Sequence, residues 1–286
     1  MRRDPLKVAC AAALVATLVA PGCSVRTFAI RKLGDALASS GTTYASDDDP
    51  ELVRDAVPFA LKTIEGLLAE VPDHPGLLLA AASGFTQYAY AFVQQDADAL
   101  EDVDLEAARA QRVRAKKLFL RARGYGLRGL EGGGRESVPL LYWTAAAWGA
   151  AIANGKDDLG LVADQGKVEE LLRRAEAIDP DWGEGSLLEL RAAFDAGRSE
   201  AAGGSRARAR AAYARAAELS GGDRASAFVG LAESVSVPEQ NRSEFDALLA
   251  KALAVDVDRR PEWRLANLVA QRRARWLLSR TEALFY

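Results

Sequence analysis

The chain has 286 residues, 49% of them hydrophobic and 27% charged, with 37 basic against 40 acidic side chains. That composition is globular and excludes a disordered chain, and the slight acidic excess argues against a nucleic-acid binder, which needs a basic face. One histidine and two cysteines argue against a zinc centre.

Arg2, Arg3 and Lys7 precede an uncharged run over residues 8–20, and Ala20-Pro21-Gly22 then lead to Cys23. The run is shorter than the roughly 20 apolar residues a membrane helix needs, so residues 1–22 read as a secretory leader. A cysteine directly after such a site suits lipoprotein processing. Cys23 is therefore the expected lipidation position, a palmitate-type anchor on the periplasmic side of a membrane. Ala20 stands where Leu is usual in that pattern, and ordinary secretory cleavage near a chance cysteine is the other reading. Ser24, next to Cys23, favours transfer to the outer membrane over retention in the inner one. Cys10 leaves with the leader, which makes an intrachain disulfide impossible.

Residues 25–39 predict a short amphipathic helix with Ile30, Leu33 and Leu37 on one face. Residues 40–46 read as a polar loop. This 23–46 segment is a short tether for a helical domain over 47–286. Asp47-Asp48-Asp49-Pro50-Glu51 marks a helix start, with a capping acid, a proline in the first turn and charges that suit the dipole. The alternating acids and central glycine of a calcium loop are missing there. Pro58 is expected to kink this helix. Asp73-His74-Pro75 opens the next helix, with His74 as its cap. After a long helix from residue 105, Gly132-Gly133-Gly134 make a break. The helix that follows, over 137–152, is apolar nearly all round and belongs at the centre of the fold.

A spacing of four, three and five recurs. It links Ala60, Ile64, Leu67 and Pro72, then Val168, Leu172, Ala175 and Pro180. It returns at Ala209, Tyr213, Ala216 and Gly221, and more weakly at Phe245, Leu249, Ala252 and Val257. Each copy is followed by a second helical stretch. The expected fold class is all-α, an irregular tetratricopeptide-like α-solenoid of about five helical hairpins that can close around a channel.

Catalytic constellations are hard to assemble from these residues. His74 would have to serve alone in any Ser-His-acid triad. The triple glycine lacks the following Lys-Ser or Lys-Thr of a phosphate loop. Arg206 to Arg215, and Arg272, Arg273 and Arg275, read as solvated helix faces. Two constellations remain as candidate sites. The aromatic residues Phe85, Tyr88, Phe92, Trp143 and Trp148 can line a channel or ligand pocket, with core packing as the plain alternative. Asn267, Gln271 and Arg272 can form a polar cluster in the last helix pair, with a solvated stripe as the alternative. No metal site and no cofactor is expected.

Three stretches resemble the T-component family of TRAP-type transporters: Asp47-Asp48-Asp49-Pro50-Glu51-Leu52-Val53-Arg54-Asp55-Ala56-Val57-Pro58-Phe59-Ala60-Leu61-Lys62, Ser83-Gly84-Phe85-Thr86-Gln87-Tyr88-Ala89-Tyr90-Ala91-Phe92, and Asn267-Leu268-Val269-Ala270-Gln271-Arg272-Arg273-Ala274. The resemblance implies a periplasmic lipoprotein of tetratricopeptide-like fold that forms a homotrimer, encloses a channel and docks a periplasmic solute-binding protein. The expected function is thus a non-enzymatic, membrane-anchored adaptor of a TRAP system that passes an apolar solute. The alternative is a helical-repeat lipoprotein scaffold for outer-membrane assembly.

Overall fold

The computed structural model describes residues 22–39, 41–131 and 137–286. Most of the predicted leader (1–21), the side chain of Cys23 and the Gly132-Gly133-Gly134 break lie outside the described residues. Among the described residues the chain is all-helical, without a strand.

Helix α1 (Gly22–Ala38) is followed by a single turn, α2 (Gly41–Ala45), inside the stretch expected to be a loop. Ser46 Oγ donates to the Thr42 carbonyl at 3.0 Å, which satisfies an acceptor at the end of that turn. Helix α3 (Pro50–Glu70) starts where the acids predict: Asp49 Oδ1 accepts from the amides of Glu51 and Leu52, both at 3.0 Å. It runs on through Pro58. Helix α4 (Pro75–Tyr88) is capped by His74, whose Nδ1 accepts from Leu77 N at 3.3 Å. That bond puts the ring proton on Nε2, where it can donate to the Arg31 carbonyl 3.1 Å away. A 3% exposed His74 thus caps α4 and ties α1 to the body. Gly34 permits this approach, since a Cβ there would meet Leu77 Cδ1 at 2.9 Å and His74 Nε2 at 3.0 Å.

Without a break, α4 passes into a π-helical turn (Ala89–Gln94) and then α5 (Gln95–Leu100). The combined helix Pro75–Leu100 is long and apolar enough to cross a membrane, but 56% of the apolar 18-residue stretch that gives it this character is buried within the fold. It packs with α6 (Leu105–Glu131) and α7 (Val138–Ala153). As its all-round apolar sequence predicts, α7 is central: Leu141, Thr144, Ala145 and Ala147 are completely buried. Gly126 lets α6 and α7 touch, because a Cβ there would stand 2.2 Å from Thr144 Oγ1.

The second half contains α8 (Leu159–Ala163), α9 (Gln165–Ile178), α10 (Ser186–Ala196), α11 (Arg206–Leu219) and α12 (Ala225–Leu231). A second π turn (Ala232–Ser236) extends α12, and α13 (Arg242–Ala254), α14 (Arg264–Ser279) and α15 (Thr281–Leu284) complete the chain. The repeated spacing marks buried positions: Val168, Leu172, Ala175, Ala209, Tyr213, Ala216, Phe245, Leu249 and Ala252 all lie in the core.

The last long helix returns to the first ones. Arg264 Nη1 donates to the Ser46 carbonyl at 2.9 Å, Arg273 meets Asp98 at 2.8 Å and Arg280 meets Asp102 at 2.9 Å. Val269 packs in one apolar cluster with Val53, Ala91 and Phe92. These contacts close the helical array on itself. They also correct the reading of Arg272 and Arg273 as part of a solvated face. Arg273 is 8% exposed, and acids on two other elements supply the counter-charge that its burial requires. In α11, Arg206, Arg208 and Arg215 stay exposed as expected of a solvated face, with Arg208 paired to Asp195 of α10 at 3.1 Å and Arg210 to Glu239, in the turn before α13, at 2.6 Å.

Candidate functional site: an apolar cavity inside the closed array

Closing the array leaves a cavity of about 1240 Å³, walled by residues from α1 at one end of the chain to α14 at the other. That exceeds the roughly 300–1,000 Å³ of ordinary ligand pockets. Val53, Val57, Leu61, Leu190, Val229 and Val269 supply aliphatic wall, and Tyr88, Tyr90, Phe92, Tyr142, Trp143 and Tyr213 supply aromatic wall.

Three of the five predicted aromatics line this space: Tyr88, Phe92 and Trp143. Phe85 and Trp148 do not. Phe85 is 3% exposed and packs between helices, stacked on Tyr125 of α6 with ring centroids 6.0 Å apart. Trp148 is 6% exposed in the α6–α9 core, with Arg123 over its face at 4.8 Å. Five residues of α-helix rotate by about 140°, so Trp143 and Trp148 face nearly opposite ways and cannot share one cavity. Sequence reading missed Tyr90, Tyr142 and Tyr213. Tyr90 lies in the π turn, where helical spacing does not hold. Tyr213 was identified only as a repeat position.

Tyr90 presents 44% of its surface, and it does so to the cavity. Enclosure by protein pushes its phenol up, with Glu233 adding to the shift. Burial also raises the Tyr142 phenol to about 12, with Glu189 working in the same direction against Arg224. Tyr213 is raised by burial as well, and its ring crosses Gly230 so closely that a Cβ there would meet the ring at 2.5 Å. These phenols stay neutral at ordinary pH and keep their protons as donors.

Most charged groups on the wall are paired within the protein, whereas Lys156, also on the wall, is exposed. Glu189 holds Arg224 at 2.8 Å, Arg198 holds Asp195 at 2.9 Å and Glu169 at 3.0 Å, and Glu233 accepts from Arg273 Nε at 3.1 Å. Along these pairs the wall accepts apolar matter without leaving an ion unpaired.

Asn267, Gln271 and Arg272 are neither a solvated stripe nor a single cluster. Asn267 and Gln271 are 2% and 6% exposed. Asn267 Oδ1 accepts from Ala225 N at 3.0 Å, and its Nδ2 donates to the Asp223 carbonyl at 2.9 Å, which caps the start of α12. Gln271 Nε2 donates to the carbonyls of Ala252, Leu253 and Val255 at 3.2, 3.3 and 2.9 Å, at the end of α13. One helix face therefore satisfies the orphan groups of two other helix ends. Arg272 lies one residue further round and turns to the first π turn, where it donates to the Ala91 carbonyl and reaches Gln95 Oε1 at 3.3 Å. Its guanidinium lies 5.6 Å from the Phe92 ring centre, and burial lowers its pKa.

The three stretches that carry the sequence resemblance meet at this closure. Val53 of the first, Ala91 and Phe92 of the second and Val269 of the third share one cluster. Arg54 adds a contact over Phe92 at 5.2 Å and an ion pair with Asp96 at 2.6 Å.

Fold and cavity together define an all-helical protein closed by its own last helix around an apolar space. The sequence matches the family described as TRAP transporter T-component over residues 46–135 and 131–285. The chain belongs to that family, and a role in TRAP transport comes with it. It is also 28% identical to an uncharacterized protein of Treponema pallidum (strain Nichols), in an alignment covering 100% of this chain and 99% of the relative.

Proposed function

We propose that this protein is a non-enzymatic, membrane-anchored adaptor of a TRAP system. It docks a periplasmic solute-binding subunit and takes an apolar solute into its cavity. The observation that carries this reading is the cavity: a large, mostly apolar space whose Glu189, Arg224 and Arg198 are held in ion pairs, inside a member of a transport-component family. Anchoring through Cys23, in the outer membrane, and assembly as a homotrimer belong to the same proposal. Their support is the leader pattern ahead of Cys23 and the family resemblance.

The test is co-purification of the full-length protein with the solute-binding subunit, under crosslinking, beside a Cys23→Ala variant. The expected result is partner recovery with both proteins and membrane recovery with the Cys23 form alone. No partner recovered under crosslinking overturns docking, and equal membrane recovery of Cys23→Ala overturns the anchor. Light scattering of the purified protein reads the trimer directly.

A further inference from the structure

Helix α1 turns an uncovered apolar face outward. Its other side is packed: Ile30 and Leu37 join the apolar cluster of α3 and α4, and Gly34 is buried. Leu33, expected beside Ile30 and Leu37, is instead 52% exposed, and Phe28 is 63% exposed. At about 100° per residue, Phe28, Ala29, Lys32, Leu33 and Ala36 fall within about 140° of the helix surface, away from the packed side. All five are exposed. Lys32, near the middle of this arc, lies with Nζ 5.9 Å from the centre of the Phe28 ring and pairs with Asp35, at the edge of the arc, at 3.3 Å.

The body of the protein holds this face in place. Arg26 pairs with Glu70 at 2.9 Å and Arg31 with Asp73 at 2.8 Å, and the Arg31 carbonyl accepts from His74 Nε2 at 3.1 Å. Arg26, Arg31 and Lys32 are thus balanced by Glu70, Asp73 and Asp35, so these groups offer no net charge to a charged partner. The place of α1 in the chain says what covers the face. Cys23 stands in the first turn of α1, and five residues of helix rise only about 7.5 Å. A lipid on Cys23 therefore brings a bilayer to Phe28 with no linker between them. Val103 is more exposed still, at 83%, but it lies at the far end of the molecule. Arg128 of α6 donates to the Pro72 carbonyl at 2.8 Å, next to the Asp73 that holds Arg31. From there α6 runs back about 35 Å to Leu105, just after Val103.

We infer that the outward face of α1 lies on the lipid surface in which Cys23 is anchored, with Phe28 and Leu33 entering its apolar boundary. An amphipathic helix binds such a boundary through the apolar area it buries, and beside an acyl anchor it adds a second attachment. Ion pairs and the His74 bond fix α1 to the body, so this contact sets how the whole protein stands on the membrane. Leu37 and Ala38 of the same helix line the cavity, and the contact therefore holds one part of the cavity wall close to the lipid. This inference rests on the Cys23 anchor and adds the surface that meets the membrane.

The experiment uses the mature lipidated protein on phosphatidylcholine vesicles. Phe28→Cys, Leu33→Cys and Val103→Cys variants each carry an NBD fluorophore, whose emission reports the water around it. All three positions are exposed, so the fold is expected to tolerate the label. At positions 28 and 33 the emission is expected to move to shorter wavelength on vesicles and to be mostly lost when the vesicles contain brominated phosphatidylcholine. Position 103 is expected to do neither, and high salt is expected to change none of this. Labels at 28 and 33 that stay as wet as the one at 103, on vesicle-bound protein, overturn this inference alone. So does equal quenching at all three positions, which would show contact without a preferred face. Labels shielded at 28 and 33 but untouched by the brominated lipid mean that a second copy of the chain covers the face, and the inference fails. Quenching that vanishes in high salt replaces the apolar contact with a headgroup contact and overturns it too. A reactive Cys23 thiol, or unlabelled protein that does not stay on the vesicles, overturns the anchor and this inference with it.

Discussion

Arg273 is the residue on which closure of the array depends most, and Arg273→Met is its sharpest test. The guanidinium meets Asp98, 175 residues earlier in the chain, at 2.8 Å, and Glu233 at 3.1 Å through Nε. It stacks on Trp276 with 4.0 Å to the ring centroid. Burial alone would lower its pKa, but Glu233 and Asp98 more than reverse that and raise it. Methionine keeps most of the stem and removes the charge. Breaking a buried pair from one side costs about 3–5 kcal/mol. Two features reduce that here. Asp98 retains Arg112 at 3.2 Å, and the Glu233 side chain is 37% exposed and opens on the cavity, where water can reach it. The expected loss is therefore about 2–3 kcal/mol, or roughly 5–10 °C in Tm for a chain of this size. Urea unfolding followed by far-ultraviolet circular dichroism measures it. Hydrogen exchange should rise first in residues 89–100, where the closing contacts are made. Arg275→Met is the control, since Arg275 is exposed. Adding Glu233→Gln to Arg273→Met should recover part of the loss, because the second change removes the stranded charge. A loss below about 1 kcal/mol, equal losses for Arg273 and Arg275, or no recovery in the double variant would refute the reasoning.

Gly126→Ala should destabilise the fold by about 1–2 kcal/mol: overpacking against Thr144 costs about 1–3 and alanine's helix preference returns up to about 1. Denaturant midpoints would show it, and combining it with Thr144→Ala should cost less than the sum of the two. Asn267→Leu strands the Ala225 amide and the Asp223 carbonyl at the start of α12, so a loss of about 1–3 kcal/mol is expected, again read from urea melts. Acid should weaken the fold through three paired carboxylates. Glu101 and Glu244 are depressed mainly by hydrogen bonds from Arg112 and Arg210. For Glu65, burial pulls the other way but is outweighed by Lys62 and Tyr125. Groups with lowered folded pKa values stabilise above their ordinary range near pH 4.3 and lose that contribution as pH falls through the folded values. Tm should hold from pH 7 to about 5 and then fall, and Arg112→Met should flatten the drop; a Tm that stays level to pH 3 would contradict this. In alkali, Tyr142 should titrate near 12, and tyrosinate absorbance developing fully near pH 10 would show that it is not enclosed.

The helices were legible because their signals are local. Asp49-Pro50 and His74-Pro75 set starts that the structure keeps, and the repeated spacing through Val168, Ala209 and Phe245 marks faces that do become buried. Half of the aromatic cavity wall was not legible, and for Tyr90 the reason is phase. A π turn holds an extra residue, which shifts every later side chain off the 3.6-residue count; Tyr90 sits inside one such turn, and nothing in Ala89-Tyr90-Ala91-Phe92 announces it. Trp148 was misplaced for the opposite reason. Its aromatic character suggested a lining role, while its position five residues from Trp143 already turned it away. Asn267 and Gln271 were recognised as a pair on one face, but their partners lie at the ends of α12 and α13, which only tertiary structure brings together.

Both π turns face the cavity wall, and α14 holds both of them. Arg272 donates to the Ala91 carbonyl in the first, and the adjacent Arg273 grips Glu233 in the second. A π turn costs stability because its widened ring loosens backbone bonding, and such turns persist where surrounding contacts fix them. Here two consecutive arginines supply those contacts, one to a backbone acceptor and one to a side chain. Successive residues on a helix point about 100° apart, so a single helix laid between the two turns can reach both. The arrangement makes the wall and the closure one structure: loosening α14 would release both widened turns, and with them Tyr90, Phe92 and Glu233, from their places around the cavity. Closure by the last helix is thus what gives the cavity its shape as well as its boundary.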